Sequence, residues 1–167
     1  SAFSYNWGSV NAAEPWYEGQ PYGDTPGASL EASFAADSGY DAARENLGGS
    51  CRMPTNAEHD TLFGNINYIN ANGEQIPSST TDKRVLVNGI RGLYLESKTN
   101  GHRLFFAASG LGAGSSWSIR GAYGYYWSSS FYSSRYARYL FFDSGGVGPQ
   151  DNNGGRYGGF AVRPVQN

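Results

Sequence analysis

Three Asn-Gly pairs between residues 72 and 101 limit the fold more than any other feature of the sequence. They are Asn72-Gly73, Asn88-Gly89 and Asn100-Gly101. Asn and Gly both tolerate positive φ, so each pair favours a tight turn between antiparallel strands. Short runs of Val, Leu, Ile and Phe flank the second and third pairs, and the chain has 24 glycines. The sequence therefore predicts short strands, many turns and little helix.

Two helices are predicted before these turns. The first spans residues 41–47, with Asp41 as its N-cap and two glycines after it. The second begins with a capping box formed by Thr55 and Glu58, and we expect it to end before Asn72. His59 is expected on its polar face. Its apolar face would consist of Leu62, Phe63, Ile66 and Ile69.

Residues 115–159 have the composition of a protein-binding surface. The segment holds more than half of the chain's 13 tyrosines, no lysine and only two acidic residues, Asp143 and Asp151. Tyr gives a large amphipathic contact area at low entropy cost, Arg gives forked hydrogen bonds, and Ser, Gly and Asn give adaptable polar contacts. An enzyme pocket would instead bring together acids, bases or metal ligands. The composition favours recognition over catalysis.

The predicted strand at residues 137–143 divides its side chains between two faces. Leu140 and Phe142 fall on one face, and Tyr139, Phe141 and Asp143 fall on the other. If the first face packs on the core, two large aromatic rings stand toward solvent and indicate an interaction site. The alternative is a strand covered on both faces, as inside a sandwich.

Charge, hydropathy and cysteine content narrow the classes of partner. The formal net charge is −2 and no basic run of the nucleic-acid-binding kind is present, so we expect no nucleic-acid partner. No apolar run approaches the length of a membrane span, so we expect no direct membrane insertion. A length of 167 residues predicts a single domain over residues 1–167. Cys51, the only cysteine, is expected to be a small core thiol.

Five short motifs follow one another in a characteristic order. They are Arg52-Met-Pro-Thr55 followed by Glu58, Ser97-Lys-Thr-Asn-Gly101, Phe106-Ala-Ala-Ser-Gly110, Tyr126-Trp127-Ser128-Ser129-Ser130 and Gly159-Phe-Ala-Val-Arg-Pro-Val165. In this order they resemble the C-type-lectin-like domains of bacterial surface proteins. These include the Fibrobacter major paralogous domain group, distant relatives of the formylglycine-generating enzyme fold. The resemblance covers residues 40–165. It implies an α+β C-type lectin fold with two helices, a small mixed β-sheet and adjacent N- and C-terminal strands.

Within that fold, residues 120–159 look most like the variable region of diversity-generating-retroelement proteins, whose asparagine codons are randomised by reverse transcription of a template repeat. The resemblance implies that some positions are fixed scaffold. These would be Tyr126 to Ser130, Ser134, Ala137, Leu140, Phe142, Ser144, Val147, Pro149, Gln150, Arg156 and Gly159 to Val165. The positions between them are the candidates for variation and ligand binding. These are Tyr132, Arg135, Tyr136, Tyr139, Phe141, Asp143, Gly146, Gly148, Asp151, Asn153, Gly154, Tyr157 and Gly158. Nearly all carry residues that adenine changes in an asparagine codon can produce.

The function implied is a ligand-binding, receptor-recognition module for a macromolecule, either a protein or a surface receptor, at the cell surface, secreted or on a virion. One alternative is a cell-surface or adhesin module of the same fold without diversification. Another is an enzyme of the formylglycine-generating superfamily, but those enzymes depend on a pair of cysteines, and this chain has one. Cys51 could pair with His59 or His102, but spacing specifies no orienting residue. We expect no catalytic residues and no cofactor.

We also expect no metal requirement. Sugar-binding C-type lectins carry a Glu-Pro-Asn or Gln-Pro-Asp loop. Glu14-Pro15-Trp16 and Gln20-Pro21-Tyr22 resemble it only superficially and lie in the wrong half of the chain. Residues 151–153 supply oxygen ligands but only one carboxylate. A role in a turn explains these residues better than a calcium site does.

Overall fold

The fold is of the α+β class, with two α-helices and four small sheets in the part of the chain that the structure describes. The structure is a computed structural model and describes residues 4–11, 29–113, 116–148 and 153–166. The helices are α1, Ala42–Leu47, and α2, Asn56–Gly64. The strands are β1 Ser4–Tyr5, β2 Cys51–Arg52, β3 Ile66–Tyr68, β4 Arg84–Val87, β5 Ile90–Ser97, β6 Arg103–Ala107, β7 Leu111–Ala113, β8 Ser116–Ser118, β9 Gly124–Phe131, β10 Tyr136–Asp143, β11 Gly146–Gly148, β12 Asn153–Gly155, β13 Phe160–Ala161 and β14 Val165–Gln166.

Helix α1 confirms the predicted N-cap. The Asp41 carboxylate accepts hydrogen bonds from the backbone amides of Ala43 and Arg44 at 2.9 and 3.0 Å. It also accepts one from the amide of Met53 at 2.9 Å. Because Asp41 is buried, this one carboxylate both caps the helix and fixes the chain that leads into α2.

Helix α2 begins as predicted and ends early. Thr55 and Glu58 form the capping box, but the helix stops at Gly64 and the next residues form β3, which pairs with β5. The expectation that Ile66 and Ile69 lie on the apolar face of this helix was wrong, because Ile66 belongs to β3 and Ile69 follows that strand. The polar-face expectation for His59 was also wrong, since the side chain is buried. No helix among the described residues is long and apolar enough to cross a membrane.

A four-stranded sheet of β3, β4, β5 and β6, which we call the second sheet, contains the turns predicted at the second and third Asn-Gly pairs. Strands β4 and β5 form a hairpin whose turn residues Asn88 and Gly89 have φ of 51° and 79°. This is the left-handed conformation that an Asn-Gly pair accepts at low cost. Strand β6 pairs with the other edge of β5 after the turn at Gly101, and β3 pairs with the far end of β5.

The largest sheet has the strand order β1-β13-β9-β10-β11, and β12 also pairs with β10. It is mixed, because β13 runs parallel to β9 while the other pairs are antiparallel. Ser4 lies opposite Ala161 in the register of β1 and β13. The strands near the two ends of the chain are therefore adjacent, as expected.

Two tryptophans fasten the N-terminal segment to β9. The Trp7 indole nitrogen donates a hydrogen bond to the Ser128 carbonyl at 2.8 Å, and the Trp127 indole nitrogen donates one to the Tyr5 carbonyl at 2.7 Å. Both rings are fully buried. Trp127 lies buried in the middle of β9, and both indole donors are satisfied.

Each face of the largest sheet packs on its own core. On one face, Leu140 and Phe142 pack with residues of the second sheet such as Leu93 and Phe106. On the other face, Trp127 packs with a cluster drawn from the N-terminal segment and α1. The buried members of that cluster are Tyr5, Trp7, Phe34, Ala42, Ala43, Met53, Trp127, Ala137 and Phe160.

Candidate functional site

Strand β10 carries four of the predicted site residues, Tyr136, Tyr139, Phe141 and Asp143. Its alternation is confirmed, because Leu140 and Phe142 are fully buried whereas Tyr139 and Phe141 are half-buried on the opposite face. Pairing with β9 sets Tyr139 opposite Trp127. The face of β10 that carries Tyr139 and Phe141 is therefore partly exposed. This lies between the two alternatives from the sequence, which were rings facing solvent and a strand covered on both faces.

Four half-buried rings form what we call the aromatic face: Tyr123, Tyr125, Tyr139 and Phe141. Tyr123 stacks on Phe141 with ring centroids 5.8 Å apart, and Tyr125 stacks on Tyr139 at 5.7 Å. The centroids of Tyr125 and Phe141 are 5.0 Å apart. Each ring thus contacts others in the set, within the range in which aromatic pairs are mutually favourable.

Buried rings on the same face of the sheet support the aromatic face from the side. Phe160 lies 5.0 Å from Tyr139 and 4.9 Å from Tyr125, measured between centroids, and it stacks on the buried Trp127 at 4.1 Å. A side chain held on several sides loses little further freedom when a ligand binds. The aromatic face is therefore a preorganised contact area.

Burial also fixes the protonation state of these tyrosines. Burial, and then the neighbouring Tyr139 and Tyr123, raise the pKa of Tyr125 to about 12. Burial raises the pKa of Tyr139 as well. Both hydroxyl groups stay protonated near neutral pH and can donate and accept hydrogen bonds.

The turn between β9 and β10, together with the start of β10, carries a second group, which we call the Tyr-Arg rim: Tyr132, Arg135, Tyr136 and Arg138. Tyr132 is 46% exposed and Tyr136 is 41% exposed. The guanidinium of Arg138 lies 4.4 Å from the centre of the Tyr132 ring, in cation-π contact. By alternation along β10, Tyr136 and Arg138 belong to the side of Leu140 rather than that of Tyr139, but they lie beyond the core.

The far end of β10 holds Asp143 and two glycines of β11. The Asp143 carboxylate accepts a hydrogen bond from the Gly145 amide at 2.7 Å and so closes the β10–β11 turn. Gly146 lies opposite Asp143, and Gly148 lies opposite Phe141. Gly146 has φ of 149° and open space where a side chain would begin. Because Gly148 has no side chain, the Phe141 ring has a bulky cross-strand neighbour only on β9, where it pairs with Tyr125.

Two of the other predicted glycines serve the interior. A Cβ at Gly154 would lie 2.8 Å from the Phe160 ring and 3.1 Å from that of Tyr139, and a Cβ at Gly158 would lie 2.8 Å from the Phe160 ring. Gly158 is itself buried. Both positions make room for Phe160, which gives them a packing role that the sequence did not indicate. Varying them would disturb the support of the aromatic face.

The remaining predicted positions are less central. Tyr157 is half-buried, with its ring within 2.6 Å of where a Cβ at Gly155 would lie. Asn153 begins β12. Asp151 lies outside the described residues.

The structure thus sorts the predicted residues along β10. The rim lies at its start, Tyr139 and Phe141 in its middle, and Asp143 with Gly146 at its end. Eight residues of strand extend about 23 Å. The side chains do not converge on one point as they would in a pocket.

The sequence analysis did not identify Tyr123 and Tyr125 as members of the surface, and Arg138 is not among the positions it predicts for ligand binding. The signal for the two tyrosines was the same period of two, because Tyr123, Tyr125 and Trp127 alternate with Gly124 and Tyr126. Pairing with β10 could not be read from β9 alone. The contact of Arg138 with Tyr132 could not be predicted, because it depends on how the chain turns between β9 and β10.

The predicted scaffold positions divide clearly by burial. Trp127, Ala137, Leu140, Phe142 and Arg156 are fully buried. The Arg156 guanidinium donates to the carbonyls of Leu30 and Ser133, at 2.7 and 2.6 Å. In contrast, the predicted fixed residues Ser134 and Ser144 are exposed. Pro149 and Gln150 lie outside the described residues.

Comparison with known proteins adds no assignment, since no family model, curated protein or solved structure matches the chain. The described residues contain no group of three or more His, Cys, Asp and Glu placed to hold a metal ion. Neither ring nitrogen of His59 has a hydrogen-bond partner in the described part of the chain, so Cys51 is not hydrogen bonded to it.

Proposed function

We propose that the chain is a ligand-binding module of the C-type lectin fold that displays a diversified surface, produced by a diversity-generating retroelement. Its ligand would be a macromolecule, a protein or a surface receptor, met at the cell surface, after secretion or on a virion. The two helices, the mixed sheet and the adjacent strands β1 and β13 are compatible with this fold. The five sequence motifs supply the family resemblance on which the proposal rests.

The observation that carries the binding role is the aromatic face. Four contacting, half-buried rings lie on one face of the sheet beside the buried Trp127 and Phe160. Rigid, amphipathic tyrosines of this kind are the preferred anchors of binding surfaces. The Tyr-Arg rim adds the exposed Tyr132 and Tyr136 at the start of β10 and in the turn before it.

The size of the surface favours a macromolecule over a small ligand. A standard protein interface covers about 800 Å² on each partner, which corresponds to a patch roughly 28 Å across. The predicted residues follow β10 over about 23 Å. A small molecule would be surrounded by a concave site instead.

The burial pattern supports diversification. Ala137, Leu140 and Phe142 are fully buried between positions that are half-buried or exposed. Substitution of exposed residues changes stability by about 0.5 kcal/mol or less, whereas buried positions tolerate few changes. Such a strand can vary on one set of positions while the other set keeps the fold.

Surface display on yeast tests the proposal. One library randomises Tyr132, Arg135, Tyr136 and Phe141, and the control library randomises Ala137, Leu140 and Phe142. We expect most members of the first library and few of the second to resist a protease. Selection of the first library against lysozyme and streptavidin should yield specific binders. Equal protease sensitivity of the two libraries would contradict the assignment.

The DNA around the gene tests the retroelement part separately. We expect a reverse transcriptase gene and a near-identical repeat of the segment that differs from it only at adenines. A locus with neither, and with the same residues at Tyr132 and Tyr136 in every isolate, would leave the non-diversified adhesin.

A further inference from the structure

A pocket of about 520 Å³ lies between α2, β2, β6 and the segment that ends in β14. Its walls include the apolar side chains of Leu62, Leu104 and Phe106. The volume is within the range of small-molecule sites, which are largely apolar with a few placed polar groups. None of its lining residues belongs to the aromatic face or to the Tyr-Arg rim.

His59 is the unusual member of this pocket. Its side chain is 2% exposed, and neither Nδ1 nor Nε2 has a hydrogen-bond partner in the described part of the chain. Leaving a buried polar group unpaired costs about 1 to 3 kcal/mol, so native proteins rarely do so without a reason. Burial lowers the pKa of His59 to about 4. At neutral pH the imidazole is uncharged, and its one donor and one acceptor are both unused in the wall of the pocket.

The unbalanced charge at this pocket is positive. Glu58 also lines it, but Arg52 holds that carboxylate in a two-point ion pair with N–O distances of 2.8 and 2.6 Å. Arg163 is exposed at the pocket and makes no hydrogen bond or ion pair with the described residues. A guanidinium in that position is suited to a carboxylate, which it can bind through two parallel hydrogen bonds.

We propose that this pocket binds a small carboxylic acid with an apolar body. Arg163 takes the carboxylate, Leu62, Leu104 and Phe106 contact the body, and the His59 imidazole donates a hydrogen bond into the site. The proposal does not rest on the binding function of β10, because the two sites share no residue.

Cys51 makes the pocket accessible to a direct test. It is the only cysteine of the chain, is half-buried, and lines the pocket beside Gln166, whose amide nitrogen lies 3.5 Å from its Sγ. A ligand in the pocket should shield the thiol from a neutral reagent such as iodoacetamide. The rate of alkylation, followed by intact-mass spectrometry, then reports occupancy with sodium benzoate as the probe and benzamide as the uncharged control.

We expect benzoate to slow the alkylation of Cys51 with a Kd of about 1 mM, and benzamide to act about tenfold more weakly. Arg163→Gln should remove the preference for benzoate, while Arg91→Gln, which changes an exposed arginine outside the pocket, should keep it. An alkylation rate unchanged up to about 20 mM benzoate would overturn the proposal. Equal protection by benzamide would overturn the carboxylate assignment.

Proton NMR gives a second readout on the unaltered protein, because the chain has two histidines, His59 and the exposed His102. Benzoate should shift the His59 ring resonances and leave those of His102 in place. Resonances of His59 that do not move, or that move together with those of His102, would count against binding in this pocket. His59→Phe should weaken benzoate binding about tenfold.

Discussion

Tyr139 packs against buried rings and also forms part of the exposed surface. Its contribution to the free energy of unfolding can be measured. Its ring contacts those of Phe160, Tyr125 and Trp127, with centroids 5.0, 5.7 and 5.9 Å away. Truncating a fully buried aromatic side chain to alanine costs about 3 to 5 kcal/mol. Because Tyr139 is half-buried, we expect Tyr139→Ala to lower the free energy of unfolding by about 2 kcal/mol.

The matched control is Tyr136→Ala, which removes the same side chain from the same strand where it is 41% exposed. We expect that variant to stay within about 0.5 kcal/mol of the parent protein. Tyr139→Phe keeps the ring and should cost less than about 1 kcal/mol. Urea unfolding followed by tryptophan fluorescence measures all three, and the thermal midpoint of Tyr139→Ala should fall by about 4 to 8 °C.

Equal stability of Tyr139→Ala and Tyr136→Ala would refute the reasoning. That result would mean that Phe160 and Trp127 keep the sheet stable without Tyr139, and that packing of the aromatic face on these two rings contributes little to the free energy of unfolding. A loss above about 4 kcal/mol would also count against it, because the ring would then be a full core residue.

Three further predictions concern the core and helix α2. Gly124→Ala should cost about 2 to 3 kcal/mol in urea unfolding, because a Cβ there would lie 2.1 Å from the buried Phe142 ring; a loss below about 0.5 kcal/mol would contradict this packing. Arg52 lowers the pKa of Glu58 from 4.5 to about 2. The ion pair between them therefore stabilises the folded state fully above pH 4.5, and this stabilisation is lost as the pH falls toward 2. Glu58→Gln should therefore flatten that part of the pH profile, by about 1 kcal/mol after allowance for solvent screening. Burial lowers the pKa of His59 from 6.5 to about 4. Between these two pH values the folded state therefore binds fewer protons than the unfolded state. Stability should fall by up to about 3 kcal/mol from pH 6.5 to 4, and His59→Phe should remove this slope; an unchanged slope would assign it to other groups.

Local signals predicted the elements whose causes are local. The Asp41 cap, the capping box at Thr55 and the Asn88-Gly89 turn each depend on a few neighbouring residues, and all are present. The end of α2 could not be predicted, because Ile66 fits a helical face in sequence but pairs with β5 in the fold. The burial of His59 has the same origin, since its surroundings come from distant segments.

The candidate site could be predicted only as far as alternation extends. The period of two correctly separated Leu140 and Phe142 from Tyr139 and Phe141. It could not reveal that β9 contributes rings to the same face. Nor could it identify Gly154 as a spacer, since its role depends on the positions of rings from two other strands.

The paired hydrogen bonds of the two tryptophans also have a consequence for synthesis. They join residues 121 and 122 positions apart in the sequence. Ribosomes add about 5 to 20 residues per second, so Trp7 waits about 6 to 24 s before Ser128 has been made. During that interval the aromatic residues of the N-terminal segment have no β9 to pack against. Contacts of such long sequence separation make the final closure of the fold slow.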